Sequence, residues 1–300
     1  GKELNWKNMK DLLYIAAMGP PGGARNNLDP RVVTMYNMMY VQFPATESLQ
    51  HIYESILSHH VSNLSEDIKG IATGITDTTL LLYSHICEKL PPTPSRFHYI
   101  FNLRDLSRIY EGLLCATSDK FKTGASFIRL WRNECMRVFH DRLICQEDKD
   151  LMIKRLTELI GEKFASVADT VNVDPILFAD FMNAMKSDEV QLYEDVGDYD
   201  KIKPVFQEIM EEYNLKNKAM NLVFFEDALE HLTRIHRVIR LDKGNMLLVG
   251  VGGSGKQSLT KLAAFTAGCI VFEIMLTRGY DEIMFRDDLK KLYTMLGSEN

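Results

Sequence analysis

Residues 246–259 read Met-Leu-Leu-Val-Gly-Val-Gly-Gly-Ser-Gly-Lys-Gln-Ser-Leu, and this stretch constrains the fold more than any other. Gly250, Gly255 and Lys256 satisfy the spacing G-x-x-x-x-G-K. An apolar strand candidate, residues 246–249, precedes the loop, and a helical pattern over residues 254–267 follows it. Glycines let successive backbone N–H groups turn inward and approach phosphate oxygens without Cβ clashes. The helix N-terminus adds unpaired donors and a positive dipole end. Lys256 places a point charge against the outer phosphates. The candidate phosphate-binding residues are therefore Gly250, Val251, Gly252, Gly253, Ser254, Gly255, Lys256, Gln257 and Ser258. A second strand candidate at residues 269–275 completes an expected parallel strand-helix-strand unit over residues 246–275.

The position after the lysine departs from the usual motif. A Ser or Thr there would set its hydroxyl on Mg²⁺, but this chain has Gln257, with Ser258 one residue later. One residue is about 100° of helix rotation, so Ser258 does not replace the missing hydroxyl. Gln257 offers an amide oxygen on a longer side chain. Nucleotide binding is compatible with this change, whereas metal-assisted hydrolysis is poorly served. Hydrolysis also needs a downstream apolar strand ending in an acidic residue. Asp281 and Glu282 follow Arg278-Gly-Tyr280 rather than such a strand, and the acidic pair after residues 222–225 precedes the loop and runs into a helix. The module that owns the loop is thus expected to be truncated. The start of the chain lacks an initiator Met and an apolar leader, which points to a piece of something longer.

The rest of the chain is helical in texture. With 300 residues, 46% hydrophobic and 25% charged, it suits about two soluble domains. A net charge of −6 argues against nucleic acid as the main partner. No apolar run approaches the ~20 residues of a membrane span. The five cysteines (Cys87, Cys115, Cys135, Cys145 and Cys269) are odd in number and widely spaced, which fits unpaired thiols in a reducing compartment. The eight histidines form no zinc pattern, and no metal site is expected. Residues 12–18 form a short apolar strand candidate that ends at Gly19-Pro-Pro-Gly-Gly. Helices are expected over residues 47–58, with Leu49, Ile52, Ile56 and Leu57 as the apolar positions, over 77–90 before Pro91, and over 102–114. One long amphipathic helix is expected across residues 127–143, and another over 225–240. The acidic residues 187–213 read as a solvated connector leading into a helix from Ile202.

With the loop included, residues 224–265 closely resemble the fourth AAA+ module of dynein heavy chains. The likeness is carried by Phe-Glu-Asp-Ala-Leu-Glu-His at 225–231, Arg-Ile-His-Arg at 234–237 and the loop itself, whose Gly-Lys-Gln-Ser is typical of that module. Residues 276–280 and 285–289 continue it. Residues 17–26 resemble the loop after a sensor strand in the third module, and residues 101–108 resemble its sensor-two helix. Trp131, Glu134, residues 137–139 and residues 141–143 resemble the first part of the next module. The likeness leans toward the axonemal branch. It implies an α/β fold of AAA+ P-loop modules, rich in helix. The implied division is residues 1–40 as the end of a third large subdomain and 41–115 as its helical small subdomain. Residues 116–240 would be the helical start of the fourth module and 241–300 the start of its P-loop core. Arg104 would be a sensor-two arginine facing a nucleotide held upstream, while a sensor asparagine is replaced near Gly19 and the arginine-finger position is taken by Thr34, two departures that would weaken transition-state charge stabilisation. The resemblance further implies an ATP-driven, microtubule-directed motor ring in the axonemal cytoskeleton. This part would hold a mainly regulatory site for ATP or ADP with Mg²⁺. The implied partners are neighbouring modules, other dynein chains, and microtubules through parts beyond this segment. A helical scaffold with a vestigial loop, or a piece of another P-loop NTPase, is the alternative.

Overall fold

A computed structural model describes residue 6 and residues 8–19, 27–184 and 190–298. The expected break at residues 20–23, the pair Arg25-Asn26, and residues 187–189 of the acidic stretch lie outside the described residues. The chain divides into two compact units, residues 1–44 and 45–300.

In the first unit, residues 12–18 form no regular secondary structure and no ladder, and Leu13 and Ile15 are exposed. A single helical turn, α1 (Pro30–Val33), begins on an Asp29 cap whose carboxylate accepts from the Arg31 N–H at 2.9 Å. Pro30 sits at the first helical position, where its missing N–H costs nothing. Thr34 closes the turn, its hydroxyl donating to the Arg31 carbonyl at 2.9 Å.

The second unit is built mainly of helices around two apolar cores. In α2 (Thr46–Val61) the buried stripe is Leu49, Tyr53, Leu57 and Val61. Ile52 and Ile56, expected on that stripe, are exposed. The strict i, i+4 row wins because Tyr53 stacks on Tyr110 at 4.5 Å and donates to the Leu103 carbonyl at 3.1 Å. The expected helix over 77–90 begins much earlier, as α3 (Glu66–Lys89). Gly74 and the buried threonines hide its first half from a propensity reading. Here Gly74 faces the Phe164 ring, and Thr78 and Thr79 donate back to the carbonyls of Gly74 and Ile75. The helix stops just short of Pro91, as expected.

A reciprocal capping box between Asn102 and Asp105 starts α4 (Leu103–Leu113). The expected long helix appears as α5 (Gly124–Cys135), continued by a π-helical turn, Met136–His140. It is followed by α6 (Gln146–Lys163) and the short α7 (Ala168–Val171). Trp131 is fully buried, its indole N–H donating to Thr79 Oγ1 at 2.7 Å. The helices of residues 46–113 do not form a separate bundle: α3 and α4 pack on α5, and one core runs from Leu49 to Tyr193.

The acidic stretch is not simply a solvated connector. Glu194 and Asp195 form β2 (Glu194–Asp195), antiparallel to β1 (Phe178–Ala179). Asp195 accepts from Arg129 Nε at 2.6 Å, and Glu194 pairs with Lys120. Arg129 also donates to the Val173 carbonyl at 2.6 Å, so a largely buried guanidinium ties this hairpin to α5. Beyond it, α8 (Tyr199–Lys216), α9 (Glu226–Arg240) and α10 (Lys256–Thr266) surround the second core, which includes Phe206, Leu229, Leu232 and Leu262. A final helix, α11 (Glu282–Ser298), has no buried residue among those described.

The expected parallel strand-helix-strand is realised only in part. The helix forms, but residues 246–249 and 269–275 carry no regular secondary structure and no ladder bonds. A strand exists through its neighbour's backbone, and among the described residues no neighbour pairs with either segment.

Candidate nucleotide-binding site

The loop is positioned from below by α10 and α9. Leu259, Leu262 and Ala263 of α10 join Leu229, Leu232 and Ile235 of α9 in the second core. Two arginines tie α9 in turn to the first core. Arg234 meets Asp141 at 3.1 Å, and Arg237 lies 4.3 Å over the Tyr193 ring. Tyr193 donates to Glu134 Oε1 at 2.9 Å, while Arg137 grips the other oxygen of this wholly buried carboxylate at 2.7 Å. Burial, then the Glu134 charge, pushes the Tyr193 phenol well above its usual range, so it remains a donor. After α9 the chain turns at Gly244. A Cβ there would lie 1.9 Å from the Val238 carbonyl oxygen, so only glycine fits.

The loop has the form that phosphate binding requires. Gly253 and Gly255 take positive φ of 77° and 79°, the left-handed region that disfavours a Cβ. Gly255 is the N-cap of α10, and the first bond of that turn runs from the Leu259 N–H to the Gly255 carbonyl. The N–H groups of Lys256, Gln257 and Ser258 are those a helix start leaves for other acceptors. Lys256 lies across the loop. Its ammonium donates to the carbonyls of Gly250 and Val251 at 2.8 and 2.7 Å and to the Ser254 hydroxyl at 3.1 Å. A Cβ on Gly250 would come within 3.3 Å of the Ser254 hydroxyl and 3.6 Å of the ammonium. The glycine backbone and the helix-start N–H groups are a donor set for an anion, whereas the Lys256 ammonium gives its three hydrogens to the loop's own acceptors and meets phosphate oxygens by exchanging them. The residues present therefore fit nucleotide phosphates.

Gln257 has a partner that the sequence did not disclose. Its side-chain NH₂ donates to Glu273 Oε1 at 3.0 Å, and the other Glu273 oxygen pairs with Lys261 at 2.8 Å. That hydrogen bond also holds the Lys261 ammonium above its usual range. The available signal was an acid inside an otherwise apolar run, Ile-Val-Phe-Glu-Ile-Met, at residues 270–275.

Arg104 is not part of this cluster. It is exposed at the second position of α4, within the first core's helices, and its backbone N–H donates to the Asn102 cap at 2.9 Å. An ion pair with Asp105 would be the ordinary surface role. Asp105 instead pairs with Arg142 at 2.6 Å and with Arg108 at 3.4 Å. Among the described residues the Arg104 guanidinium has no ion-pair partner, and no group of His, Cys, Asp or Glu is arranged to hold a metal.

Three family descriptions match in chain order. Residues 1–44 match the P-loop containing dynein motor region, 75–174 the AAA+ lid domain, and 220–300 the P-loop containing dynein motor region D4. The Dynein-1-alpha heavy chain of the flagellar inner arm I1 complex of Chlamydomonas reinhardtii is 60% identical over 100% of this chain. Human Dynein axonemal heavy chain 10 is 56% identical over 100% of it, and human Dynein axonemal heavy chain 6 is 41% identical over 99%. The chain belongs to the axonemal dynein heavy-chain family. It spans about 7% of the length of these curated relatives. It is a helix-rich segment of α/β AAA+ architecture whose P-loop implies nucleotide binding, and its family belongs to the axoneme of cilia and flagella.

Proposed function

We propose that this segment carries a mainly regulatory nucleotide site of an ATP-driven, microtubule-directed motor ring, at residues 250–258. The observation that carries this reading is the loop itself: left-handed Gly253 and Gly255, the open start of α10, and Lys256 converging on one small volume. A ligand of phosphate chemistry, ATP or ADP, would be held by Lys256 and the N–H groups of residues 254–258. Mg²⁺, when bound, supplies charge neutralisation between the outer phosphates. Gln257 stands where a hydroxyl would serve that ion, so slow turnover follows. Residues 1–40, 41–115, 116–240 and 241–300 are taken as successive parts of two modules. The lid match at residues 75–174 favours a small subdomain that runs beyond 115. Arg104, exposed and without an ion-pair partner among the described residues, is free to face a nucleotide of the upstream module. Partners would be the neighbouring modules, other dynein chains, and microtubules through other parts of the heavy chain.

The test is nucleotide binding by the full heavy chain. Lys256→Ala removes a charge-assisted contact of roughly 1.5–3 kcal/mol, so this site's affinity should fall about 10- to 150-fold. Gln257→Thr should raise Mg²⁺ dependence and turnover. Unchanged affinity in the first variant would leave the loop a structural turn only.

A further inference from the structure

A side-chain amide has two chemically opposite ends. The NH₂ only donates and the oxygen only accepts. Phosphate oxygens are met by the NH₂ end, whereas a divalent cation, or a water bound to it, is met by the oxygen. Which end Gln257 presents therefore decides whether it serves phosphate or cation.

Gln257 and Lys261 stand four residues apart on α10, hence on one face. Glu273 reaches both from the segment that follows the helix, 3.0 Å to the Gln257 NH₂ and 2.8 Å to the Lys261 ammonium. An ionised carboxylate accepts only, so it holds the NH₂ end and turns the oxygen away from itself. The ion pair with Lys261 occupies its second oxygen and fixes the carboxylate in turn. We propose that Glu273 is a positioning residue of the nucleotide site: by engaging the Gln257 NH₂, it leaves the amide oxygen to face a divalent cation that accompanies the phosphates. This rests on the nucleotide-site reading above. The cation would be held less firmly than by a hydroxyl on the helix, yet the site would still favour nucleotide with metal over nucleotide alone.

The experiment is ADP binding to the full heavy chain, with Mg²⁺ and with a chelator. Binding at this site is the part weakened by Lys256→Ala, and the readout is the ratio of affinities with and without Mg²⁺. Glu273→Ala should lower that ratio about three- to tenfold, the range of one hydrogen bond, while Lys256-dependent binding remains and reports a folded site. Gln257→Ala should lower it similarly, and Glu273→Ala should add nothing in that background. Glu273→Gln, which retains an acceptor oxygen without the charge, should keep most of the ratio. An equal effect of Glu273→Ala with Gln257 already removed would mean a through-space charge effect and would overturn the proposal, as would an unmoved ratio. If Lys256→Ala removes no binding, the nucleotide-site reading fails instead.

Discussion

Gly112 has no room for a side chain. A Cβ there would lie 2.0 Å from Glu134 Oε2, and that carboxylate cannot retreat because Arg137, Tyr193 and Asn133 all hold it. Gly112→Ala should therefore cost about 3 kcal/mol of stability through overpacking, measured by denaturant unfolding of this chain; a change below about 0.5 kcal/mol, ordinary for a surface site, would contradict it. His236 sets a pH dependence. Burial, with Arg240 and Arg237 nearby, pushes it down from 6.5 to about 4 against the opposing pull of Asp180, 3.3 Å away. The folded state thus prefers neutral imidazole, and the unfolded chain binds more protons between those two values. The stability contribution is complete above pH 6.5 and is lost as pH falls toward 4, by about 3 kcal/mol at most. Unfolding free energies across that range should show this slope, and His236→Leu should flatten it.

Among the elements, α4 lets the capping residues and the proposed role of Arg104 be tested separately. Asn102 caps the helix and Asp105 completes the box, so Asn102→Ala should cost about 1 kcal/mol. Arg104 is exposed and makes no ion pair among the described residues, so Arg104→Ala should change stability by less than about 0.5 kcal/mol. In the full heavy chain that variant should weaken nucleotide binding at the upstream module and leave the Lys256 site's intrinsic affinity nearly unchanged. A large loss of thermal stability without any binding effect would assign Arg104 to the scaffold. The extent of α4 was legible from sequence because its signal is local, apolar residues recurring on one face; the Asn102–Asp105 box that starts it came from the structure. The start of α3 was not legible, since its buried threonines and Gly74 make sense only against Trp131 and Phe164 from distant segments.

At the scale of the whole chain, residues 246–251 and 269–276 matter most. They are irregular, lack ladder partners among the described residues, and expose Leu247, Val249, Val251, Ile270 and Leu276. Unpaired backbone beside apolar side chains is a template for association. The 300-residue chain should self-associate with rising concentration in sedimentation experiments, and Leu247→Lys with Val249→Lys should reduce this. A monomer at all concentrations would show that these segments are covered within the chain.

The sequence by itself determined the phosphate loop, the helix after it and the heavy-chain family. Each is written in short-range terms: glycines where φ turns positive, a lysine at fixed spacing, and caps followed by periodic apolar residues. Only the tertiary structure decided that Tyr53 rather than Ile52 faces the core, that Glu194 and Asp195 are gripped by Lys120 and Arg129, and that Glu273 holds Gln257. Those pairings join residues far apart in the chain or select between neighbours on one helix. The free energy that fixes them comes from burial and charge partners that no local window contains.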